Sequence, residues 1–329
     1  MSTMVNTVLG PIKSEFLGKI LIHEHFLFGF PGFSGDSTLG GLDWEVALNV
    51  AIKAVEQMKS FGVQTVVDAT PNDCGRNPLF LKEVSEKTGL HIICSTGYYY
   101  EGAGASTYFN FHRSIDPQRT ENEIYEMFMK EIKEGINKTG IKPGVIKVAS
   151  SQDRITDYEQ MFFRAAARVQ NETGTRIITH TQGGTMGPEQ AELLISEGAS
   201  PNGILIGHMC RSTDMDYHIR TLETGVYIAF DQFGLQGILG FPLDQFREKV
   251  LIELIHKGYE NKIMLSHDTT IFKLGRAPDY PEKTKKLMAN SYPTHIFENV
   301  IPVLKKSGVI DNQIQIMMVE NPRTFFRID

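Results

Sequence analysis

"KILIHEHFL", residues 19–27, is the stretch that decides the fold, because it is a short apolar β-type run and the first of eight along the chain. The other seven are "QTVVDAT" (64–70), "HIICSTG" (91–97), "GVIKVASS" (144–151), "RIITHTQ" (176–182), "ILIGHM" (204–209), "VYIAFDQ" (226–232) and "KIMLSHD" (262–268). Such short apolar runs at regular intervals predict eight strands.

The segments between the strands have apolar residues at three-to-four spacing, which is the pattern of amphipathic helices. Several of them end in glycine, as helices often do. They cover residues 44–62, 121–136, 158–174, 188–198 and 245–258. Strands that alternate with helices pair in parallel, because the helices serve as crossover connections.

Eight strand-then-helix units favour a closed (β/α)8 barrel over an open doubly wound sheet. No GxGxxG motif follows the first strand and no P-loop pattern occurs, which weakens the nucleotide-binding alternative. We therefore expect an α/β protein with a single (β/α)8 TIM barrel domain over residues 1–329. The segment "TVLGPIKSEFLGK" (7–19) is expected to form a short N-terminal hairpin that plugs the bottom of the barrel.

The composition argues against several classes of protein. A chain of 329 residues with 41% apolar residues can bury a large core, and a net charge of -6 without a basic cluster argues against a nucleic-acid or anionic-lipid partner. Cys74, Cys94 and Cys210 are far apart and form no CxxC pair, so we expect free thiols. No signal-peptide pattern and no long apolar run occur, so a cytoplasmic protein without a membrane partner is expected.

Residues able to bind a metal stand near the C-terminal ends of five predicted strands, where such barrels carry their reacting groups. They are His23, His25, Lys147, His180, His208 and Asp268. His23 and His25 are two residues apart on an extended strand and present both imidazoles to one side. Taken singly, a strand-end histidine is often a hydrogen-bonded structural residue, and Asp268 could start a turn. Four histidines and a carboxylate on one rim favour a metal site.

Lys147 stands in the middle of an apolar parallel strand, where a charged ammonium group is costly to desolvate. Burial lowers the pKa of a lysine, so a neutral amine can exist there and can capture CO₂ to give a carbamate. A carbamate is an anionic oxygen ligand that two cations could share. The alternative is a lysine that pairs with a carboxylate such as Asp68.

This many ligands require two ions. The expected arrangement is a binuclear centre with metals about 3.5–4 Å apart and a hydroxide between them. One ion lowers the pKa of the bound water, while the other polarises a carbonyl or phosphoryl oxygen of the substrate. Asp268 is placed to take or relay the proton, which is hydrolase chemistry. Imidazole and carboxylate ligands suit zinc, manganese, cobalt or iron about equally.

The ordered set of motifs resembles the phosphotriesterase family of the amidohydrolase superfamily over essentially the whole chain. The motifs are "IHEH" in strand 1, the lysine of strand 4, "THT" in strand 5, "IGH" in strand 6, "SHD" in strand 8 and "ENPRTFF" near the end. The implied ligands are His23, His25 and Asp268 for the more buried metal ion and His180 and His208 for the more exposed one, with carboxylated Lys147 as the bridge. The resemblance also implies a homodimer, and we expect zinc first.

The segment "TGYYYEG" resembles strand 3 of the phosphotriesterase-like lactonases, in which a tyrosine approaches the more exposed metal and the lactone. Matching on the "TG" assigns that role to Tyr99, with Tyr98 one residue away. The strand-7 segment "AFDQFG" departs from the "LDRYG" of the lactonases, since Gln232 replaces an arginine and Phe233 a tyrosine. The loss of positive charge at this point leaves the substrate subclass open.

The metal-binding residues and the lactonase-like segment together predict a lactonase that opens its substrate by attack of the bridging hydroxide. N-acyl-homoserine lactones or similar apolar-tailed lactones are the first candidates, with weak phosphotriester hydrolysis as a side activity. Tyr99 would orient the carbonyl and Asp268 would carry the proton away. The aromatic loop after strand 3 and the apolar loop after strand 7 suit a greasy substituent, or they only seal the rim.

Two other functions stay open. The substrate could be a phosphorylated sugar lactone, with Arg276 or Lys273 holding the phosphate, although a solvated position for both is the simpler interpretation. From a different class, the chain could be a metal-containing binding protein without turnover, and the intact set of ligands argues against that. The loop after strand 8, residues 269–293, is long enough for a lid or an embedded short helix.

Overall fold

The computed structural model of the protein describes residues 3–238 and 240–327. Its strands follow the predicted runs, with two additional short strands before them and one after them. The strands are β1 Met4–Thr7, β2 Gly10–Lys13, β3 Lys19–Phe28, β4 Val63–Asp68, β5 His91–Gly97, β6 Val145–Ser150, β7 Arg176–Thr181, β8 Ile204–Ile206, β9 Tyr227–Phe230, β10 Ile263–Leu265 and β11 Thr270–Lys273.

The nine-stranded sheet of the described residues is entirely parallel and runs in the order β10-β9-β8-β7-β6-β5-β4-β3-β11. The two ends of this sheet meet at β3. Asp268 N donates to His23 O at 3.0 Å, and His23 N donates to Ser266 Oγ at 3.0 Å. The chain that leaves β10 therefore lies against β3, and the predicted (β/α)8 barrel is confirmed.

Helices connect the strands, and the predicted helical segments are all present. The α-helices are α1 Trp44–Ser60, α2 Pro78–Thr88, α3 Thr107–Ile115, α4 Pro117–Glu134, α5 Asp157–Thr173, α6 Gly187–Ser196, α7 Met215–Glu223, α8 Asp244–His256, α9 Glu282–Leu287, α10 Ile301–Lys306, α11 Asp311–Gln315 and α12 Asn321–Phe325. A π-helical turn at Ile296–Val300 leads into α10, and another at Ile316–Glu320 joins α11 to α12. At the start of α5, Thr156 and Glu159 form a capping box.

The core has two layers, as a barrel requires. One layer fills the inside of the barrel with side chains from alternate positions of the strands, such as Ile22, Ile93, Ile178 and Met264. The other, larger layer lies between the strands and the surrounding helices. Close packing on both faces explains why the strands read as nearly continuous apolar runs.

The N-terminal hairpin of β1 and β2 covers the bottom of the barrel. Its strands pair antiparallel, and Val5 is buried in the same interior cluster as Phe325 near the C-terminus. Asn6 Nδ2 donates to Pro143 O at 3.3 Å, and Val8 N donates to Ile92 O at 2.9 Å, both near the N-terminal ends of the barrel strands. The expected hairpin is confirmed, beginning slightly earlier than predicted, and the functional rim is left at the opposite end.

Three smaller expectations can be compared with the structure. The three cysteines are free and buried, as predicted. The long loop after β10 contains a short strand, β11, that extends the sheet beside β3, as well as the short helix α9. Among the described residues, no helix combines the length and the apolar character that a membrane crossing demands.

A β-bulge in β3 sets the direction of its histidines. Residues 21–24 of β3 lie opposite residues 66–68 of β4, so β3 contains one extra residue at this point. Ile22 belongs to the interior cluster, and the next residue, His23, also faces the inside, where its ring nitrogen approaches Lys147. Because of the bulge, the apolar Ile22 and the polar His23 are consecutive residues that both face the inside of the barrel.

Glu24, inside the same bulge, joins β3 to the chain that follows β10. It is fully buried, and its Oε1 accepts hydrogen bonds from Ser266 Oγ at 2.8 Å and from His267 N at 3.0 Å. Its Oε2 accepts from Thr269 N at 2.8 Å. The carboxylate thus satisfies backbone groups at the seam where the barrel closes, and these would otherwise be buried without partners.

We predict that Glu24→Gln lowers the free energy of unfolding by about 1–3 kcal/mol, because the amide replaces one acceptor and leaves a buried donor unpaired. Thermal denaturation followed by circular dichroism measures the change. Glu15→Gln, at an exposed position in the turn before β3, is the matched control and should stay within about 0.5 kcal/mol of the parent. Equal stabilities of the two variants would contradict the role assigned to Glu24.

Candidate metal centre

His23 and His25 extend from the middle of β3 into the mouth of the barrel. His23 Nδ1 lies 2.7 Å from Asp231 Oδ2, and His25 Nδ1 lies 2.8 Å from Thr70 Oγ1. With both Nδ1 atoms engaged, the Nε2 atoms face Asp268 Oδ1, at 3.6 Å for His23 and 2.9 Å for His25. Burial is the main cause that lowers the pKa of His23 to about 3, so its ring is neutral at pH 7, as a metal ligand must be.

Two candidate ligands have an unusual backbone. His208 has a φ of 57° and Asp268 a φ of 56°, in the left-handed region that side chains other than glycine rarely adopt. The chain leaves the extended conformation at these residues, which explains why β8 and β10 are shorter than predicted. His23, His208 and Asp268 each offer a ligand atom, and these atoms lie within 4.8 Å of one another. This group could hold a metal ion.

The two carboxylate oxygens of Asp268 have different neighbours. Oδ1 faces the histidines of β3, whereas Oδ2 accepts a hydrogen bond from Gln232 Nε2 at 2.8 Å and lies 3.9 Å from His208 Nδ1. Burial opposes ionisation of Asp268, but its interactions with the imidazoles of His208 and His23 and the hydrogen bond from His25 outweigh it and hold its pKa well below the usual range. Asp268 is therefore an anion throughout the neutral pH range.

Asp231, in the "AFDQFG" segment, links two of the candidate ligands. Its Oδ2 contacts His23 Nδ1 at 2.7 Å, and its Oδ1 accepts from His208 N at 2.8 Å and lies 3.1 Å from His208 Nδ1. Burial opposes its ionisation, but its hydrogen bonds and electrostatic interactions with His208 and His23 hold its pKa below the usual range. Asp231 was not among the predicted site residues, although an aspartate at the end of a barrel strand is a usable signal.

Lys147 is fully buried on β6 among these groups. Its Nζ lies 3.2 Å from His23 Nε2 and 3.1 Å from Thr179 O. Among residues 3–238 and 240–327 no carboxylate lies within ion-pairing distance of Nζ, and Asp68 is bonded instead to the backbone N–H groups of Phe26 and Thr70. The salt-bridge alternative with Asp68 is therefore wrong. Desolvation lowers the pKa of Lys147 to about 8.

His180, at the end of β7, lies under two tyrosines of the loop after β5. Its ring centroid is 4.9 Å from that of Tyr99 and 5.3 Å from that of Tyr100, which is stacked nearly parallel to it. The ring also lies 4.5 Å from His208, and its Nε2 contacts Gln182 Oε1 at 2.8 Å. Burial lowers the pKa of His180 well below its usual value. Tyr100 was not among the predicted site residues, yet it forms the second wall of this part of the site.

Two glycines allow the strand ends to approach one another. A Cβ on Gly97 would lie 1.7 Å from Lys147 O, and a Cβ on Gly207 would lie 2.2 Å from Thr179 O. No side chain fits in either place. Gly97 also has a φ of 145°, which favours glycine, and it directs the chain from β5 toward the tyrosines.

The predicted substrate residues occupy different surroundings. The ring of Tyr98 packs against Phe109 and Phe162, at 5.2 and 5.0 Å between centroids, on the helix side of the loop. Gln232 lies in the site beside Asp268. Arg276 is largely exposed and donates to Asp36 at 2.6 Å.

The remaining histidines lie outside the metal centre. His218 and His295 are buried. His218 Nε2 contacts Ser212 O at 3.1 Å, and His295 Nε2 contacts Asp244 at 2.9 Å. These two histidines serve the packing of the loops behind the rim.

We predict that Asp231→Asn lowers the affinity for divalent cations by about 10–100-fold, because it removes the charge that orients the rings of His23 and His208. Competition with a chelator, followed by metal analysis, measures the affinity. Asp216→Asn, on the exposed side of α7, is the control and should bind like the parent. An unchanged affinity in Asp231→Asn would show that these histidines do not depend on Asp231.

Comparison with known proteins agrees with this geometry. The model of the phosphotriesterase family matches residues 3–326. An aryldialkylphosphatase of Saccharolobus solfataricus is 36% identical over 318 residues, which is 96% of each chain. The structure of an organophosphorus hydrolase from Deinococcus radiodurans is 52% identical, with a TM-score of 0.97 over 99% of this chain and 97% of that one. A mutant of a phosphotriesterase-like lactonase from the same organism is 52% identical, with a TM-score of 0.96 over 98% of this chain and all of the other. The chain therefore belongs to the phosphotriesterase family, a family of metal-dependent hydrolases.

Proposed function

We propose that the protein hydrolyses lactones at a binuclear metal centre. The residues that would hold the metals are His23, His25 and Asp268 for one ion and His180 and His208 for the other, with carboxylated Lys147 between them. Zinc is the first expectation for both ions, and N-acyl-homoserine lactones or similar apolar-tailed lactones are the first candidate substrates.

The surroundings of Lys147 support this proposal more than any other observation. Among residues 3–238 and 240–327, this buried amine lies beside His23 and has no carboxylate partner, and packing alone does not offset the cost of its desolvation. Conversion to a carbamate replaces the buried ammonium group by an anionic oxygen ligand. The carbamate and the imidazoles around it can then bind metal cations. The donor set of imidazole nitrogen and carboxylate oxygen is the one that zinc and related metals accept in catalytic sites.

When bound, such a metal pair would supply a nucleophilic hydroxide at neutral pH and would polarise the substrate's carbonyl oxygen. The chain's own groups do the rest. Burial raises the pKa of Tyr99 well above its usual value, so the phenol keeps its proton and can donate a hydrogen bond to the carbonyl oxygen. Asp268 is an anion, and its Oδ2, directed to Gln232, is the oxygen that would take the proton of the attacking water.

The relatives and the rim favour a lactone as substrate. The D. radiodurans relative with a TM-score of 0.96 is described as a phosphotriesterase-like lactonase, and the S. solfataricus relative as an aryldialkylphosphatase. Tyr99 lies against His180, where the lactonase role would need it. Weak phosphotriester hydrolysis is expected as a side activity, because the same groups serve a tetrahedral phosphoryl centre.

The phosphorylated sugar lactone has less support from the loop after β10. Arg276 is already paired with Asp36, and Lys273 Nζ lies 3.1 Å from Tyr280 OH. Neither cation is free for a phosphate without giving up its partner. The metal-containing binding protein without turnover has no specific contact in its favour.

The deciding experiment is metal analysis together with a panel of lactones, esters and phosphotriesters. We expect two metals per chain in the parent and turnover of lactones above all other substrates. Lys147→Ala should lose the second metal and lower kcat/KM by about 100-fold or more, since it removes the shared ligand. Lys142→Ala, at an exposed position before β6, is the matched control and should behave like the parent.

Two results would contradict this proposal. If Lys147→Ala keeps two metals and full activity, no carbamate bridge is needed. If fully metallated parent protein hydrolyses nothing in the panel, the binding protein is the better description.

The carbamate has a pH dependence of its own. CO₂ reacts with the neutral amine, and burial lowers the pKa of Lys147 to about 8, so the reactive form grows as the pH rises through that value. In metal-free protein at constant dissolved ¹³CO₂, the carbamate signal in the ¹³C NMR spectrum should therefore increase from about pH 6.5 to about pH 9. Lys147→Ala should lack the signal at every pH. A signal that is constant over this range would show that the amine is not the group that titrates.

A further inference from the structure

Arg211 lies at the rim, three residues after His208, in the short turn Met209–Arg211 that follows β8. It is partly buried, and its guanidinium carbon lies 3.7 Å from the ring centroid of Phe241, in the loop after β9. An arginine stacked on an aromatic ring keeps its N–H groups free at the edge of the plane. The contact therefore holds the side chain in place without using its hydrogen-bond donors.

The guanidinium group has no hydrogen-bond acceptor or carboxylate partner within residues 3–238 and 240–327. Other cations near the rim differ in this respect. Arg247 donates to the backbone oxygens of Gln232 and Leu235 and to Asp244, and Arg276 is paired with Asp36. Partial burial without a partner lowers the pKa of Arg211, and the group remains a cation.

Arg211 lies beside the turn that follows β7 and His180. A Cβ placed on Gly184, four residues after His180, would lie 2.8 Å from the Cβ of Arg211. The ring of His180 lies 4.5 Å from that of His208, which stands three residues before Arg211. Arg211 therefore lies on the side of the site that His180 and His208 form.

Strand β9 contributes no positive charge to this region. Gln232 is neutral and buried, its Nε2 is bonded to Asp268, and its Oε1 has no partner in the described part of the chain. Within residues 3–238 and 240–327, the turn after β8 therefore supplies an unpaired cation on this side of the site, whereas β9 supplies none.

We propose that Arg211 binds an oxyanion substituent of the substrate, a carboxylate or a phosphate, and makes lactones with such a substituent a further substrate class. The proposal rests on the lactone hydrolysis proposed above. A guanidinium group can bind either oxyanion through two parallel N–H donors, and the apolar stack on Phe241 strengthens the attraction by excluding water. Neutral lactones depend on Tyr99 and the metal ligands alone.

The test uses the metal-loaded protein and pairs of five-membered lactones. One pair carries a methyl group or a carboxylate on the same ring carbon, and the other carries a hydroxymethyl group or its phosphate ester. We expect the parent to prefer the charged member of at least one pair by about tenfold or more in kcat/KM. The pair that shows the preference tells carboxylate from phosphate.

Arg211→Gln should remove this preference, mainly through a KM raised about tenfold or more for the charged lactone, and should change the neutral lactones less than threefold. Arg211→Lys should keep part of the preference, because the charge remains while the two-donor geometry is lost. Arg154→Gln, at an exposed position in the loop after β6, is the control and should match the parent. Metal content is measured in every variant, so that a misfolded site is recognised.

Equal losses on charged and neutral lactones in Arg211→Gln, or no preference in the parent, would overturn the assignment while leaving lactone hydrolysis intact. If no lactone is hydrolysed, the proposed function fails, and calorimetric titration with the carboxylated lactone still tests Arg211. The parent should then bind this lactone about tenfold or more tightly than Arg211→Gln. Equal dissociation constants would overturn the assignment of Arg211.

Discussion

Closure of the barrel at β3 is the constraint on which the rest of the structure depends. Glu24 is buried at the seam and accepts hydrogen bonds from the chain between β10 and β11. That chain carries Asp268, whose N–H donates to His23 O at 3.0 Å. The contacts that close the sheet therefore also place the candidate ligand carboxylate beside the histidines, so the site exists only in the closed barrel.

The second constraint is electrostatic. The mouth of the barrel contains buried imidazoles, the carboxylates of Asp231 and Asp268, and the amine of Lys147 in a small volume. Burial disfavours the charged form of each group, and Asp231 and Asp268 stay charged because close neighbours favour their anions. Asp231 shows this most clearly, since its two oxygens contact the Nδ1 atoms of two histidines. Bound metal ions would add positive charge that balances these carboxylates.

Much of this could be predicted from the sequence because it rests on local pattern. Apolar runs that alternate with amphipathic segments predict the barrel, and the HxH pair, the strand lysine and the strand-end residues predict which strands meet at the rim. The metal ligands and Tyr99 stay predictions at the level of chemistry, but the structure does bring His23, His208 and Asp268 within 4.8 Å. Residues two apart on a strand share a face whatever the tertiary context.

Other features depend on contacts between distant parts of the chain, and periodicity carries no information about them. The bulge in β3 appears only in the register with β4, and the role of Asp231 appears only when His23 and His208 flank it. Arg211 looks like an ordinary loop arginine until Phe241 is seen beneath it. Arg276 looks like a free cation in the sequence, but it pairs with Asp36, which lies 240 positions away.

Gly97 and Gly207 have a consequence for attempts to alter this protein by directed evolution. At both positions the missing side chain lets two strand ends touch, so neither site tolerates even alanine without moving the backbone that carries Lys147 or Thr179. The loops beyond Tyr100 and His208 carry none of the proposed metal ligands of these two strands. Diversity introduced there would reshape the entrance, whereas diversity at the two glycines would displace the strand ends on which the site is built.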